Sequence, residues 1–460
     1  MHVADQMTAA TVFRKHFARK RLIKIYNERI KQSGAIGLDR TRPATLANKL
    51  TDEVELILRK VHNGNYRFTA YKEKLILKGA TSNPRQISIP TARDRIVLRA
   101  LCDCLSEVYP AAKISLPQVV IEDLKGALSS GLYTEYAKID LKEFYPSLPH
   151  AQIKNAIWKK VRKSEFRHLI ESAIKTPTVS ESVGGKGASL ATIGVPQGLA
   201  ISNVLAEVSL QDIDGSFSNR AGIWYKRYVD DILILADQDK VEPVATELIH
   251  ELKKLGLKPH DFAEGSKSRI ADLTDDFTFL GYSIENGTLR IPKKSILRFE
   301  SSIARIFTAY RHRLATAKSR TDKERAMAYC AWKVNLRISG CYFGGKRLGW
   351  ASYYSQITST GQLRAVNHTI QKLARRFVPG GEIKPKSLIK TFYELRRGLD
   401  GKHSHILNLD NCTLATKREL LAMWIGDLAH DISSERVERL FLIKVSKAVS
   451  ELEEDIAHIS

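Results

Sequence analysis

The stretch Tyr228-Val229-Asp230-Asp231 constrains this chain more than any other part of its sequence. It separates an apolar run of four residues from one of five, and this arrangement predicts a β-hairpin with both carboxylates at its tip. Adjacent acids between buried strands repel each other, so they must stay hydrated or bind cations. A divalent metal site and a plain Asp-rich turn both meet that requirement. The four residues alone leave both interpretations open.

The distribution of charge adds a second constraint. The 460-residue chain has a net charge of +23, and residues 291–400 contain 23 Lys and Arg against six Asp and Glu. Residues 1–290 contain 43 against 34, and residues 401–460 contain seven against ten. Ordinary surfaces intersperse both signs, so the basic segment predicts a polyanionic partner, most often nucleic acid. A merely solvated basic face is the alternative.

Composition argues against several classes of protein. Hydrophobic residues make up 43% and charged residues 27% of the chain, as in soluble globular proteins, and every apolar run is far shorter than the ~20 residues that span a bilayer. Five scattered cysteines without a C-x-x-C pair argue against a structural zinc site. His2, Asp5 and the basic run Arg14-Lys15-His16 interrupt any signal-peptide pattern. We therefore expect a cytoplasmic protein with no membrane partner.

A second hairpin is predicted before the acidic one. Residues 71–78 and 85–90 have the composition of two strands, joined by a turn through 79–84. Lys78 and Arg85 lie on either side of that turn. Fixed cations on a rigid hairpin suit a triphosphate, because Arg offers a planar fork and Lys a point charge.

A third acid ends another predicted strand. Residues 133–140 end in Asp140, and two aromatic residues, Phe144 and Tyr145, follow shortly after it. An Asp that leaves a buried strand must find cations or hydrogen-bond donors. Asp140 is therefore a candidate for a functional contact with a cation or a donor.

A Pro-Gly turn, Pro196-Gln197-Gly198, opens a later predicted helix. Its glycine can let backbone approach a ligand, and its amide can hydrogen-bond that ligand. A simple turn and helix cap is the alternative.

Taken in order, these motifs resemble the reverse transcriptases of bacteria. The resemblance covers about residues 60–290, and its blocks are Ile89-Pro90-Thr91 with Asp94-Arg95, Asp140 with Phe144-Tyr145, Pro196-Gln197-Gly198 with Ser202, Tyr228-Val229-Asp230-Asp231, Lys267, and Phe279-Leu280-Gly281. An ordered set of this kind is more specific than any one member. It implies an α+β right-hand polymerase, in which fingers and an antiparallel palm sheet precede an α-helical thumb and C-terminal region.

The resemblance also implies a domain organisation. A helical N-terminal extension is expected at 1–65, fingers and palm at 66–290, a basic helical thumb at 291–400 and a helical C-terminal region at 401–460. Two other functions remain compatible with such a palm. One is template-independent or protein-primed DNA synthesis, although no hydroxyl identifies itself as a primer. The other is a noncatalytic RNA-binding scaffold, against which the intact acidic set argues.

The activity implied is that of an RNA-directed DNA polymerase, which makes cDNA from dNTPs on an RNA template. Such transfer uses two Mg²⁺ ions about 3.5–4 Å apart, with Mn²⁺ able to substitute. The expected ligands are the carboxylates of Asp140, Asp230 and Asp231 and the backbone carbonyl of Leu141. The expected dNTP-binding residues are Lys78, Arg85, Phe144, Tyr145, Pro196, Gln197, Gly198 and Lys267. The expected primer grip is Phe279, Leu280 and Gly281.

By the same resemblance, Tyr145 selects the sugar. It lies five positions after Asp140, where reverse transcriptases carry an aromatic ring that packs under C2′ and excludes a ribose hydroxyl. RNA polymerases that copy RNA generally place a polar residue there. Val229 before the acids fits the same choice. The alternative is that Phe144 and Tyr145 serve only as core.

The 170 residues after position 290 narrow the choice among the branches of the reverse transcriptase family. They hold no zinc-ligand cluster, no His-Asn-His nuclease pattern and no acidic set like that of RNase H, which argues against mobile-intron and retroviral enzymes. The chain also lacks the retron element Asn-Ala-x-x-His before the palm aspartate Asp140, and it lacks the retron signature Val-Thr-Gly. The chain is then most similar to the antiphage-defence enzymes, the abortive-infection and unknown-group types. Several of those use a structured noncoding RNA as template, and the oligomeric state stays open.

The basic segment is expected to act as a thumb that grips duplex backbone. Its phosphate-binding candidates are Arg311, Arg313, Lys318, Arg320, Lys346, Arg347, Arg375 and Arg376. Contacts of this kind give affinity without sequence readout, so binding should weaken steeply with salt. The nearby aromatics could stack on unpaired bases, or serve as core, which is the commoner outcome. They are Tyr342, Phe343, Trp350, Tyr353 and Tyr354.

Overall fold

A computed structural model describes residues 8–77, 83–182, 187–397 and 405–457, the last five of these without their side chains. The chain divides into two compact units. The first comprises Met1–Ser115 and Tyr133–Ala271, and the second comprises Leu116–Leu132 and Asp272–Ser460.

The part of the chain up to residue 272 contains ten α-helices and seven strands among the described residues. Its helices are α1 (Ala9–His16), α2 (Arg19–Ile25), α3 (Leu50–His62), α4 (Ala92–Val108), α5 (Pro117–Ser129), α6 (Phe144–Ser147), α7 (His150–Ile157), α8 (Ser164–Lys175), α9 (Ser202–Ser218) and α10 (Val241–Lys254). Its strands are β1 (Tyr71–Ile76), β2 (Arg85–Ile89), β3 (Glu135–Asp140), β4 (Thr178–Val179), β5 (Ile223–Tyr228), β6 (Asp231–Ala236) and β7 (Arg269–Asp272). The Thr91 side chain caps α4 by accepting the Asp94 N–H.

Helices dominate the rest of the chain. They are α11 (Lys293–Thr316), α12 (Arg320–Ser339), α13 (Trp350–Tyr353), α14 (Gly361–Phe377), α15 (Leu388–Arg396), α16 (Leu414–Ile425), α17 (Leu428–Asp431) and α18 (Ser434–Ala457). The strands are short: β8 (Phe277–Phe279), β9 (Tyr282–Glu285), β10 (Thr288–Arg290), β11 (Cys341–Phe343), β12 (Lys346–Leu348) and β13 (Leu407–Asn408). A capping box of Ser319 and Asp322 begins α12.

A four-stranded sheet in the first unit carries the acidic hairpin. Its strand order is β5-β6-β3-β7, and β6 pairs antiparallel with β5 and with β3. Every residue of β6 from 232 to 236 has 0% exposure, because α9 packs against β5 and α10 packs against β3 and β6. A strand buried on both faces requires a continuous apolar run. The run that follows the acids meets that requirement, and it forms a central strand.

The predicted earlier hairpin forms a smaller sheet with strand order β2-β1-β4. β1 and β2 are antiparallel, with Ile76 opposite Arg85, and β4 is parallel to β1. The two predicted strands are therefore confirmed, at Tyr71–Ile76 and Arg85–Ile89. Lys78, one of the two predicted triphosphate contacts, lies outside the described residues.

The second unit has a helical core. α11 packs against α12 and α14, and α16 packs against α12 and α18. On α18 the apolar side chains at helical spacing are buried, with Val437, Phe441 and Val445 at 0%, 1% and 0% exposure. The apolar residues spaced at three to four positions therefore mark the face of α18 that joins this core.

The predicted α+β class is confirmed, with mainly antiparallel strand pairs before residue 290 and a helical C-terminal region. The segment Leu116–Leu132, which includes α5, joins the second unit although it lies within the first unit in chain order. The limits expected for extension, palm and thumb stay predictions. Across the described ranges, no helix combines the length and the apolar character needed to cross a bilayer.

Candidate active site

The three predicted acids meet at one end of the central sheet. In the register of β3 and β6, Asp140 lies directly opposite Asp231. Asp231 also lies opposite Tyr228 of β5, and Asp230 occupies the turn before it. Opposed residues of an antiparallel pair have Cβ atoms about 4.5–5.5 Å apart. The structure therefore brings Asp140 together with two carboxylates that lie 90 and 91 positions later in the chain.

The turn of the acidic hairpin is strained. Val229 has a φ of 58°, a left-handed conformation that is an outlier for a β-branched residue. Such a residue costs on the order of 1–3 kcal/mol and persists only where its surroundings enforce it. Here Nη1 of Arg227 donates a hydrogen bond to the Val229 carbonyl at 3.0 Å. This bond ties the strained turn to a buried side chain.

Arg227 anchors the hairpin, and the sequence analysis missed it. Its side chain is 2% exposed. The guanidinium donates to the Glu207 carboxylate at 2.7 and 2.9 Å and to Asp214 at 2.9 Å. Burial opposes the charge on Arg227, but the carboxylates of Asp214 and Glu207 outweigh burial and raise its pKa. A clue was present, because Glu207 and Asp214 lie two helical turns apart on one face of α9.

Asp231 has both acidic neighbours and a cationic one. Burial raises the pKa of its carboxyl, the nearby Lys138 lowers it, and the negative charges of Asp230 and Asp140 raise it again. Lys138 Nζ lies 3.4 Å from an Asp231 carboxylate oxygen. The three acids at these strand ends therefore repel each other, and the ionised form of Asp231 depends on a positive partner.

Asp140 is held by the segment that precedes β7. Its N–H donates to Ser268 Oγ at 3.1 Å, and its carbonyl accepts the His260 N–H at 2.9 Å. Its carboxylate lies 3.3 Å from His260 Nε2 and 3.6 Å from Lys267 Nζ. The predicted Lys267 is therefore beside the strand-end acid. His260 was not predicted, because a single histidine in a loop has no distinguishing pattern.

The donor set suits a hard divalent cation. Mg²⁺ prefers oxygen ligands and is usually bound through one or two carboxylates together with water and substrate phosphates. Asp140 and Asp231 supply adjacent carboxylates of this kind, and Leu141 follows in an isolated bridge with Pro259. Within the described residues, no group of three or more His, Cys, Asp or Glu side chains is arranged to hold a metal ion by itself. A metal here would share the acids with their lysine partners and draw further oxygens from ligand or backbone.

Tyr145 lies close to the acids, whereas its neighbour Phe144 lies in the core. The Tyr145 hydroxyl hydrogen-bonds Asn203 Oδ1 at 2.7 Å. Burial raises the pKa of the Tyr145 phenol, with Asp230 adding to the shift and Arg85 opposing it. The phenol is thus within electrostatic reach of both hairpins. Phe144 is 3% exposed, and its ring centroid lies 5.2 Å from that of Tyr145.

The loop of Pro196, Gln197 and Gly198 docks on β2. The Gln197 carbonyl accepts the Ser88 N–H at 2.7 Å. Gly198 has a φ of 97°, and a Cβ at this position would lie 2.8 Å from the Ile87 side chain. Only glycine fits both the backbone conformation and the close approach. The glycine is therefore required where the loop approaches β2, and its predicted contact with a ligand stays a prediction.

Phe279, Leu280 and Gly281 connect β8 with β9 in the second unit. Phe279 is fully buried, and Leu280 is 6% exposed. The Tyr353 hydroxyl donates to the Leu280 carbonyl at 2.8 Å, and the Tyr354 hydroxyl donates to the Gly281 carbonyl at 3.2 Å. These tyrosines therefore support the turn. A contact between this turn and a primer stays a prediction.

The aromatics of the basic segment divide into two groups. Trp350, Tyr353 and Tyr354 are 0%, 9% and 1% exposed, so their interpretation as core is confirmed. Tyr342 and Phe343 are half-buried on β11. Of these five aromatics, only Tyr342 and Phe343 therefore remain candidates for base stacking.

The eight candidate phosphate-binding cations differ in their partners. Seven are exposed, namely Arg311, Arg313, Lys318, Arg320, Lys346, Arg375 and Arg376. Arg320 pairs with Glu324 at 2.9 Å. Arg347 is half-buried and donates to the Leu395 carbonyl at 3.0 Å, so part of its hydrogen-bonding capacity is used within the unit.

Residues 72–284 match the family described as "Reverse transcriptase (RNA-dependent DNA polymerase)". This range contains the acidic hairpin, Asp140, Tyr145 and the loop that docks on β2. It ends within β9, just beyond the turn at 279–281. The match therefore covers every predicted metal and nucleotide contact.

Two curated proteins are distant relatives. The chain is 24% identical over 191 residues to the "Uncharacterized 91 kDa protein in cob intron" of Schizosaccharomyces pombe, a match that covers 39% of this chain and 22% of that protein. It is 22% identical over 325 residues to Protein YkfC of Escherichia coli, covering 58% of this chain and 82% of that protein. The chain thus matches less than a quarter of the length of the first relative.

Solved telomerase structures are also similar to this chain. Telomerase from Candida albicans in complex with a TWJ fragment of telomeric RNA has a TM-score of 0.47 at 13% identity, over 82% of this chain and 68% of that one. Apo telomerase from Candida tropicalis has a TM-score of 0.40 at 16% identity, over 97% and 81%. The family match over residues 72–284 is the finding that assigns this part of the chain: a reverse transcriptase domain is present.

Proposed function

We propose that this protein is an RNA-directed DNA polymerase that makes cDNA from dNTPs. The observation that carries the proposal is the register of β3 and β6, which sets Asp140 opposite Asp231 beside the Asp230 turn. The pair lies inside the reverse transcriptase domain. Carboxylates from neighbouring strands at one sheet edge are the arrangement that a two-metal phosphoryl transfer uses.

Asp140, Asp230 and Asp231, with the Leu141 carbonyl, would hold the two Mg²⁺ ions. When bound, the ions would activate the primer 3′-hydroxyl and neutralise charge on the leaving pyrophosphate. Lys267 is 70% exposed, so it can leave Asp140 and bind a phosphate oxygen.

The chain's own residues would orient the nucleotide. The Tyr145 ring is fixed by its hydroxyl bond to Asn203 at 2.7 Å, and a fixed ring under the sugar would exclude a 2′-hydroxyl. Gln197 and Gly198 would line the pocket beside β2. Arg85, which begins β2, would offer its guanidinium fork to the triphosphate.

The metal site is tested by incorporation of labelled dNTPs on a primed RNA template with purified protein. The variant Asp230→Ala/Asp231→Ala should lower incorporation by at least about 10³-fold, since charge stabilisation in the transition state is lost. EDTA should do the same to the unmodified protein. The matched control is Asp237→Asn, an exposed acid just beyond the other end of β6. Equal synthesis by the double variant and the unmodified protein would refute the site.

We further propose that the template is a structured noncoding RNA and that the enzyme acts in the cytoplasm in antiphage defence. The basic excess of residues 291–400 supports a polyanionic partner. Sequencing the nucleic acid that copurifies with the protein tests the template. One recurrent structured RNA with attached cDNA is expected, and a random sample of cellular RNA would contradict this proposal without touching the polymerase assignment.

A further inference from the structure

A cavity lies in the second unit, outside the reverse transcriptase domain in sequence. Helices α11, α12 and α18 line it, and its volume is about 400 Å³. Small-molecule sites typically measure about 300–1,000 Å³. The cavity is therefore of a size for one small ligand rather than for a nucleic-acid duplex.

The described residues that line the cavity are strongly cationic. Arg305, Arg313, Lys333 and Arg337 contribute positive charge, and Glu451 is the acid among them. Glu451 is already paired with Lys333 at 2.7 Å. A concave surface with an excess of one sign concentrates its field and attracts ligands of the other sign. The ligand that fits this lining is an anion.

The same wall presents a flat surface. The Arg313 guanidinium lies 4.0 Å from the centroid of the Tyr329 ring, and Lys333 Nζ lies 5.9 Å from it. An aromatic ring with an adjacent guanidinium plane is the kind of surface on which nucleic-acid bases stack. An inorganic anion would leave this surface unused.

Contacts within the protein hold the Arg337 side chain in place without a ligand. The residue is 4% exposed, and its guanidinium donates to Ser302 Oγ at 2.8 Å and to the Leu452 carbonyl at 3.2 Å. It also lies 5.1 Å from the centroid of the Phe299 ring. These contacts join α11, α12 and α18 around the cavity. A site whose charges are held by the fold loses less entropy on binding.

We propose that this cavity binds a single nucleotide, with phosphate near Arg305 and the base against the Arg313–Tyr329 pair. The nucleotide can be a free mononucleotide or the terminal unit of a single strand, since both present the same chemistry. The site does not depend on the polymerase assignment, because its lining residues lie at 302–452.

Equilibrium dialysis of labelled ATP against the full-length protein in EDTA tests the proposal. EDTA is included because binding of nucleotide at the acidic hairpin would depend on divalent cations. A ribonucleotide is used because Tyr145 is proposed to exclude it from that hairpin. One ATP per chain is expected. Arg305→Gln and Tyr329→Ala should each weaken binding by at least about tenfold.

The matched control is Arg364→Gln, which removes an exposed arginine from the neighbouring helix α14. It should leave ATP binding unchanged, and thermal melting should show that all three variants are folded. Equal loss in Arg364→Gln would mean unspecific attraction, and it would overturn the proposal. So would equal competition by inorganic triphosphate, since the base would then contribute nothing.

A short 5′-phosphorylated RNA distinguishes the two sources of the nucleotide. Displacement of ATP by this RNA would assign the site to a strand end, and failure to displace ATP would assign it to a free nucleotide. Absence of saturable binding for both ATP and the RNA would overturn the proposal. None of these results changes with Asp230→Ala/Asp231→Ala, so failure here and failure of the polymerase assignment are separate outcomes.

Discussion

The acidic cluster of the first unit, formed by Asp140, Asp230 and Asp231, and the basic helices of the second unit use charge in opposite ways. In the acidic cluster, Asp231 has Lys138 at 3.4 Å and Asp140 has Lys267 at 3.6 Å. Residues 291–400 instead carry 23 basic against six acidic side chains. Paired charges in fixed positions can define the geometry of a reaction. Exposed cations in excess supply affinity for phosphate with little geometric demand.

This difference predicts that one buried cation of the first unit matters more than several exposed ones. Arg227→Met should cost about 3–5 kcal/mol of unfolding free energy, because the partly buried Glu207 and Asp214 carboxylates would lose the guanidinium that balances their charge. Urea denaturation measures the effect. DNA synthesis should fall as well, since the Val229 turn loses its support.

Arg220→Met is the control for Arg227. Arg220 pairs with Glu247 at 2.6 Å, but the side chains are 42% and 52% exposed. Exposed pairs contribute about 0–1 kcal/mol, so this variant should be nearly as stable as the unmodified protein. Equal costs for the two arginines would remove the distinction between positioned and exposed charge.

Tyr145 provides the next largest expected effect. Tyr145→Val should lower the preference for dNTPs over rNTPs by about 10–100-fold, because a small side chain no longer fills the space below C2′. Tyr145→Phe keeps the ring and removes only the hydroxyl bond to Asn203, so its preference should change by less than about tenfold. Competition between labelled dNTP and rNTP in the same primer-extension reaction measures both. A preference unaltered in Tyr145→Val would contradict the assignment.

Gly198 tests how closely the loop of Pro196, Gln197 and Gly198 must approach β2. Gly198→Ala should destabilise the protein by about 1–3 kcal/mol, since its Cβ would lie 2.8 Å from the Ile87 side chain. Gly222→Ala is the control, because Gly222 also has a positive φ of 78° but has open space at its Cβ position. It should cost only the backbone strain, about 1 kcal/mol. Equal melting temperatures for the two variants would show that the contact with β2 is not tight.

The exposed cations should give the smallest effect per residue. Arg375→Gln/Arg376→Gln should weaken RNA binding a few-fold and reduce the slope of log K against log salt by about 2. Filter binding over a series of salt concentrations measures the slope. Lys253→Gln is the control, because Lys253 in the first unit already pairs with Asp261 at 3.0 Å. If Arg375→Gln/Arg376→Gln lowered DNA synthesis more than Arg227→Met does, the exposed cations would matter more than the buried one. That result would reverse the comparison between the units.

Local pattern predicted the elements that carry the acids. The apolar runs around Asp230 and Asp231 predicted β5 and β6, and the run before Asp140 predicted β3, because strand formation follows hydrophobic pattern and turn residues. The ordered motifs also indicated the reverse transcriptase domain. Neither source identified Arg227 or His260, whose significance lies in contacts with residues distant in the chain.

What the sequence determined by itself is the set of segments, their charge and the order of the motifs, since each depends on neighbours a few residues away. Tertiary structure decided the rest. The pairing of Asp140 with Asp231 depends on the register of two strands, and a slip of one residue would turn every side chain to the other face. Likewise, the burial of Arg227 between two carboxylates and the cationic cavity between three helices arise only when separate elements pack, because burial and long-range electrostatics are properties of the folded chain.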